Sequence, residues 1–245
     1  MKEKAVRKKK DRPPHKLPSI GNRLLTRLPR RDLQQLLPKL ERVSLGLRDV
    51  LYRPEKPIDH VYFVEDGVVS LVSGLADGSA VEVGTVGNEG MVGLPVFFGA
   101  TSSPLRAFAQ VPGQALKLKT SDFRREVENG NALRYAINRY AQALFTQLSQ
   151  SVACNRRHPV EQRCARWLLT TADRVTDKRF KLTQEFLAQM LGIRRASVNP
   201  VLQKFQKEQM LRYSMGEMEI TNRRKLESVA CECYQIIRNE YEKLG

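Results

Sequence analysis

The chain has 245 residues, 41% of them hydrophobic, and a formal net charge of +16. This length and composition suit one large or two ordinary globular domains and exclude a largely disordered chain. No apolar run approaches the roughly 20 residues that span a bilayer, and no hydrophobic core follows the basic N-terminus as in a secretory signal, so we expect a cytoplasmic protein without a membrane partner.

The basic excess is uneven along the chain. Residues 1–16 hold eight Lys and Arg against two acids, and residues 156–225 hold sixteen against seven, whereas residues 17–155 hold sixteen against thirteen. A basic C-terminal module beside a nearly neutral N-terminal one indicates a polyanionic partner for the former. Residues 1–21 form a predicted basic disordered tail, which is either a solvated leader or a segment attracted to phosphates.

The sequence pattern of residues 22–127 predicts short helices followed by a β domain. Leucines at helical spacing between Asn22 and Leu40 predict one or two short helices. From Val43 to Leu118, short alternating and β-branched runs predict an antiparallel β-sandwich or jelly-roll. Three pairs of turn residues separate these runs: Asp66-Gly67, Asp77-Gly78 and Pro112-Gly113. The two Asp-Gly pairs have the composition of hairpin turns. The fold class is therefore α+β.

A long helix is predicted within residues 128–157. Apolar residues at helical spacing from Asn131 to Asn155 would form about seven turns. Such a helix needs a partner along its apolar side, and that partner is either its own domain or a second copy. We expect a homodimer, with the contact made by one stripe of the helix, which comprises Ile137, Tyr140, Leu144 and Leu148.

Residues 158–245 predict a winged helix-turn-helix. In LTQEFLAQMLGIRRASVNPVL, Thr183 is a good N-cap, and Gly192 suits the left-handed residue that ends a helix. A second helix begins near Arg194 or Arg195, and its exposed start is rich in Arg and Asn, as in DNA-reading helices. Two strands around Met215-Gly216 would form the wing. Residues from Leu226 to Leu244 would form a last helix. The candidate DNA-binding residues are Thr183, Arg194, Arg195, Ser197, Asn199 and Gln203.

Neither a metal centre nor an active site is expected from the sequence. The four cysteines include no CxxC pair, and no histidine lies at zinc-finger spacing from them. Cys231 and Cys233 are conceivable metal ligands, but two thiols rarely make a site alone. No nucleophile–base–acid set stands out among the residues, so we do not expect an enzyme.

The order of β-sandwich, long helix and winged helix-turn-helix resembles the Crp–Fnr family of bacterial transcription regulators. TQEFLAQMLGIRRASVNPVL, RYSMGEMEI and GNEGMVG are the segments that carry the resemblance. It implies an effector domain of the cyclic-nucleotide-binding type and a homodimer joined by the long helix. It also implies double-stranded DNA as a partner, with the second helix of each subunit in a major groove, and RNA polymerase as a further partner.

The resemblance extends to individual DNA-contacting residues. Arg195 matches the family's base-reading arginine, while Thr183 and Ser197 match positions that contact phosphate. Ala196 and Pro200 depart from the family pattern, so the DNA sequence read by this chain should differ from that of the best-known members. Asn199, whose amide can pair with adenine, is a candidate replacement reader.

The effector region departs further from the family pattern. Its candidate pocket residues are Glu89, Gly90, Gly93, Leu94 and Arg106. Leu94 occupies the place of the family's ribose-binding glutamate, and Ser103-Pro104 falls near the phosphate-binding Arg-Ser pair. We therefore predict no resident cofactor, an effector of unknown identity, and no binding of cyclic AMP. The alternative function is a cyclic-nucleotide-type sensor whose basic C-terminal module binds RNA or a protein.

Overall fold

The computed structural model describes residues 19–128, 130–177 and 179–244. The predicted basic tail, residues 1–21, lies outside the described residues except for its last three positions. Within the described residues, no helix is both long and apolar enough to cross a membrane.

The predicted N-terminal helices are present as α1 (Arg23–Thr26) and α2 (Arg30–Leu36), followed by a 3-10 turn. Asn22 caps α1, because its side-chain oxygen accepts a hydrogen bond from the amide of Leu25 at 3.2 Å. The buried amide nitrogen of Asn22 donates to the carbonyl oxygens of Val64 at 2.7 Å and Gly90 at 2.8 Å. One side chain therefore both starts the helix and holds it against the sheet.

The predicted antiparallel β domain is confirmed as a six-stranded sheet. The strands are β1 (Glu41–Leu45), β2 (Val50–Tyr52), β3 (His60–Gly74), β4 (Ala80–Val86), β5 (Met91–Val92) and β6 (Arg106–Lys119). The strand order is β1-β6-β3-β4, with β2 also paired to β6 and β5 to β3. A short helix, α3 (Leu94–Phe97), lies between β5 and β6.

Two of the three predicted turns are bulges inside long strands. Asp66-Gly67 lies within β3 and Pro112-Gly113 within β6, where the register between the two strands shifts. Gly67 has φ of 88°, and a Cβ there would lie 2.7 Å from the carbonyl oxygen of Val111. The glycine is therefore required by the close approach of two backbones and not by a chain reversal. Only Asp77-Gly78 forms the hairpin turn, between β3 and β4.

The long helix is confirmed as α5 (Ala132–Arg157), which follows α4 (Thr120–Glu128) and is capped by Asn131. Its predicted dimer stripe lies inside the protomer. Ile137, Tyr140 and Leu144 are buried and Leu148 is partly buried, all packed in the core of the β domain. These side chains are unavailable to a second copy, which corrects their assignment as the dimer contact. The opposite face of α5 exposes Tyr135, Phe145 and Val152.

The C-terminal region contains the predicted helix-turn-helix and wing. Its elements are α6 (Val160–Ala172), β7 (Arg179–Lys181), α7 (Gln184–Leu191), α8 (Arg195–Lys207), β8 (Leu211–Ser214), β9 (Glu217–Ile220), α9 (Arg223–Val229) and α10 (Cys233–Glu242). The three-stranded sheet has the order β7-β9-β8, and Met215 and Gly216 form the turn between β8 and β9 with positive φ. The predicted last helix is in fact two helices, α9 and α10, because the backbone of Ala230 is extended.

The described residues form two large hydrophobic cores, and each core contains side chains from both the β domain and the C-terminal region. Ile237 and Tyr241 of α10 are buried in the core of the β domain. Conversely, Val72 and Phe108 of the β domain lie in the same core as the helix-turn-helix residues. The C-terminal region is therefore packed directly onto the sheet.

Candidate nucleic-acid interface and effector region

The helix-turn-helix is built by local signals that the sequence had indicated. The hydroxyl of Thr183 accepts a hydrogen bond from the amide of Phe186 at 3.1 Å and so caps α7. Gly192 ends α7 with φ of 62°, and the amide of Ile193 then donates to the carbonyl of Ala188 at 3.0 Å. Val198 of α8 is among the buried residues that fix the second helix against the first.

The first turns of α8 present a polar surface to solvent. Arg195 begins the helix, and Arg194 precedes it as the N-cap residue without capping through its side chain. Among the residues that the structure describes, neither arginine has an acidic partner within salt-bridge distance. The amide of Gln184 donates to the Asn199 side-chain oxygen at 3.2 Å, which ties the starts of the two helices together. All six candidate DNA-binding residues, Thr183, Arg194, Arg195, Ser197, Asn199 and Gln203, are exposed.

Pro200 lies inside α8, which nevertheless continues to Lys207. A proline has no amide hydrogen, so the carbonyl of Ala196 lacks its usual partner one turn later. Both residues are exposed. The first turns of α8 therefore lack one regular helical hydrogen bond at positions where the family pattern has charged side chains.

A cleft of about 550 Å³ lies beside the start of α7, between the wing and the β domain. Thr183 and Phe186 line one side, and Leu47 and Arg48 line the other. Met215 at the tip of the wing is fully exposed. The phosphate-contacting position predicted at Thr183 thus opens onto a space that the β domain shares.

The five candidate effector residues do not form one cavity. Glu89 lines a cavity of about 300 Å³, whose other lining residues include none of the remaining four. Gly90 lies directly against the ring of Tyr140, and Gly93 has φ of 100° where α3 begins at Leu94. The guanidinium of Arg106 stacks 5.1 Å from the ring centre of Phe108 at the surface.

The Ser103-Pro104 pair does not fit a cyclic phosphate. Ser103 is buried; its carbonyl accepts from the amide of Glu55 at 2.9 Å and its hydroxyl accepts from the amide of Leu105 at 3.1 Å. Pro104 has no amide to offer. With Leu94 in place of the ribose-binding carboxylate, the residues present lack the groups that the family uses for a cyclic nucleotide.

A buried ion pair, which the sequence did not indicate, joins the two regions. Arg174 follows α6, and its guanidinium lies 2.7 Å from the carboxylate of Glu89, with each side chain 4% exposed. The guanidinium also donates to the Gln147 side-chain oxygen at 2.9 Å and lies 5.5 Å from the ring centre of Tyr241. Burial is the largest single influence and lowers the pKa of Arg174, but Glu89, Tyr241 and Tyr140 together raise it by more, so this pKa is raised overall.

A second polar link joins Glu82 of β4 to α6. The indole nitrogen of Trp167 donates to one Glu82 oxygen at 2.8 Å, and the other oxygen lies 2.8 Å from the Ser70 hydroxyl. The Ser70 hydroxyl also lies 2.5 Å from the Gln110 side-chain oxygen, to which it can donate if Glu82 is protonated. Burial raises the pKa of Glu82 to about 7, against the lowering effect of these hydrogen bonds.

The structure also brings together four potential metal ligands. Cys231 and Cys233, which the sequence left as an isolated pair, meet Cys154 and His158, and their ligand atoms all lie within 4.8 Å of one another. The sequence did not reveal this group, because Cys154 and His158 lie about one-third of the chain away from Cys231 and Cys233. The four-residue spacing of Cys154 and His158 was the one local signal, since it places both on one helix face.

Family models match both regions. A model of the Crp-like helix-turn-helix domain matches residues 162–229, and a model of the cyclic nucleotide-binding domain matches residues 42–129. No curated protein matches the chain by sequence.

Solved structures share the fold at low identity. FixK2 from Bradyrhizobium japonicum is 18% identical with a TM-score of 0.61, over 78% of this chain and 98% of its own. The Crp/Fnr-family regulator TTHA1359 from Thermus thermophilus is 20% identical with a TM-score of 0.60, over 78% and 98%. CLP, a cyclic-di-GMP-responsive global regulator from Xanthomonas campestris, is 17% identical with a TM-score of 0.60, over 77% and 97%.

The fold and the matched domains define a transcription regulator in which an effector-type β domain precedes a helix-turn-helix domain. The chain belongs to the Crp–Fnr family of transcription regulators.

Proposed function

We propose that the chain is a homodimeric regulator that binds a specific sequence of double-stranded DNA through α8, and that the β domain adjusts this binding. The observation that supports it most is the exposed start of α8, where Arg194 and Arg195 stand without acidic partners among the described residues. A protein-binding surface would more typically expose aromatic anchors there. RNA polymerase is a further partner that rests on the family resemblance alone.

The proposed DNA contacts divide by chemistry. Arg195 has the fork of donors that pairs with guanine, and Asn199 has the amide that pairs with adenine. Thr183, Arg194 and Ser197 are assigned to backbone phosphates, which position the protein without reading sequence. Gln203, two turns into α8, is assigned to the edge of the same site.

The proposed dimer contact uses the exposed face of α5. Tyr135, Phe145 and Val152 are 65–72% exposed on this face. With Asn138, Gln142 and Ser149 they follow alternating steps of three and four residues, which is the spacing of a coiled-coil seam. A large aromatic side chain exposed in the middle of such a row is best explained by a second copy that covers it.

The proposed effector is not cyclic AMP. Leu94 and Ser103-Pro104 cannot supply a ribose-binding carboxylate or a phosphate-binding arginine, and Glu89 is already paired with Arg174. CLP, which shares the fold, responds to cyclic di-GMP. The family fold therefore accommodates other effectors, and we propose a different small molecule or a signal that acts without one.

The experiment is selection of binding sites from random-sequence DNA by the full chain. We expect a two-fold symmetric motif whose half-sites lie about 10 base pairs apart, or a multiple of one helical turn. Affinity for that motif should fall as salt rises, because bound phosphates release counterions. Equal affinity for motif and shuffled DNA, or preferential binding of RNA, would contradict the proposal.

A further inference from the structure

A compact group of three cysteines and one histidine lies where α5 ends. Cys154 is on the last turns of α5, and His158 is the residue that ends the helix. Cys231 lies between α9 and α10, and Cys233 begins α10. The three cysteines are buried together, apart from the two hydrophobic cores, and His158 closes the group from its partly exposed side.

Two distances in this group match those around one tetrahedral ion, and all four ligand atoms lie within 4.8 Å of one another. The sulfurs of Cys154 and Cys231 lie 3.5 Å apart, and the Cys233 sulfur lies 3.7 Å from Nδ1 of His158. With Zn–S bonds of about 2.3 Å and Zn–N bonds of about 2.0–2.1 Å, a tetrahedron places neighbouring ligand atoms roughly 3.5–3.8 Å apart. An iron–sulfur cluster contains several irons and needs its ligands more widely spread.

The surroundings also suit a metal site. Nε2 of His158, the ring nitrogen that faces away from the sulfurs, lies 3.2 Å from a carboxylate oxygen of Glu232. Metal-binding histidines usually donate their second N–H to such a carboxylate, which fixes the tautomer that leaves the other nitrogen free for the metal. Zinc held by three thiolates and one imidazole carries a net negative charge, and the buried Arg163 and Arg166 lie close enough to Cys154 to compensate it.

We propose that Cys154, His158, Cys231 and Cys233 bind one Zn²⁺ ion in a closed structural site. Four protein ligands complete the coordination, so the ion has no open position for catalysis. The site connects two segments that lie on either side of Pro159, where α5 gives way to the helix-turn-helix region. The ion would therefore fix the angle at which that region leaves α5.

The test is zinc content and affinity in the full chain, purified under reducing conditions. We expect one zinc per chain by mass spectrometry of the metal, and its loss in Cys233→Ser and His158→Gln. After removal of zinc, added Co²⁺ should give the visible bands and sulfur charge-transfer absorption of tetrahedral thiolate coordination. The matched control is Cys164→Ser, because Cys164 is also buried in this region but lies outside the group.

A milder variant protects the test against misfolding. Glu232 is exposed, so Glu232→Gln should leave the fold intact and weaken zinc affinity about 10–100-fold, measured by competition with a coloured chelator. The proposal is overturned by a chain without zinc, by equal zinc loss in Cys164→Ser, by iron with labile sulfide, or by a metal-free Cys154–Cys231 disulfide.

The consequence for DNA binding rests on the proposed function. If the ion fixes the exit angle from α5, its removal should weaken binding to the selected DNA motif and leave binding to random DNA less affected. Zinc content is measured without DNA, so the metal site and the DNA-binding function can fail independently.

Discussion

Glu89 and Arg174, 85 residues apart in sequence, form an ion pair at 2.7 Å that is almost wholly buried. The first is one of the candidate effector residues, which remain a prediction, and the second follows α6, the helix that precedes the helix-turn-helix. Arg174, a residue of the C-terminal region, therefore covers Glu89 in the candidate effector region of the β domain. A ligand that displaced Arg174 from Glu89 would release this contact between the two.

Removal of Arg174 should destabilise the chain strongly. Arg174→Met leaves the Glu89 carboxylate buried without a counter-charge, and we expect the free energy of unfolding to fall by about 3–5 kcal/mol in urea titrations. Arg212→Met is the control, because the Arg212 side chain is 69% exposed and its pair with Glu219 should contribute below about 1 kcal/mol. Equal, small losses in both variants would show that the buried pair does not hold the regions together.

Glu82 should make stability depend on pH near neutrality. Its pKa of about 7 in the folded chain exceeds the ordinary 4.5, so the folded chain keeps a proton that the unfolded chain releases. The contribution of Glu82 therefore reduces the free energy of unfolding as pH rises from 4.5 to about 7. Glu82→Gln should remove that decline, whereas Glu55→Gln, at an exposed position, should retain it. A decline of the same slope in both variants would assign it to another group.

Arg195 should carry sequence preference at one base position. We expect Arg195→Ala to weaken binding to the selected motif by about 1–3 kcal/mol and to relax that position in a repeated selection. Arg194→Ala should instead weaken binding to all sequences alike and reduce the salt dependence by about one phosphate contact. The control is Arg125→Ala, an exposed arginine on α4. Unchanged affinities for Arg195→Ala would remove its assigned role.

The exposed face of α5 should hold the dimer together. Phe145→Lys combined with Val152→Lys places two charges in the proposed seam, and we expect monomers by light scattering with the fold retained. Leu75→Lys, at an exposed apolar residue of the β3–β4 turn, is the control and should remain dimeric. Ile137→Lys should instead unfold the protomer, because Ile137 is fully buried within it. A double variant that stays dimeric would place the contact elsewhere.

Local signals made much of the fold predictable. Thr183 begins α7 through a hydrogen bond from an amide three residues away, and Gly192 ends it through its own left-handed backbone conformation. Both ends of the helix are therefore determined by the local sequence. Met215-Gly216 likewise forms the wing turn by itself. Predictions from such signals succeed because they do not depend on what packs nearby.

Other features depend on distant parts of the chain. Asp66-Gly67 and Asp77-Gly78 have the same composition, but the first is a bulge because β6 runs alongside it, and the second is a turn. The apolar stripe of α5 predicted that one face of this helix is buried. It did not indicate whether that face packs against its own chain or against a second copy. Arg174 meets Glu89, and the Cys154–His158 pair meets the Cys231–Cys233 pair, across long sequence separations that no periodicity encodes.

The placement of Ile237 and Tyr241 in the core of the β domain bears on how the chain is made. These residues leave the ribosome after the rest of that core, which consists of residues synthesised well before them. Domains usually fold in turn during synthesis. Here one side of the N-terminal core stays uncovered until α10 has been synthesised, so a chain that stalled or was cut before α10 would expose that side to chaperones and proteases.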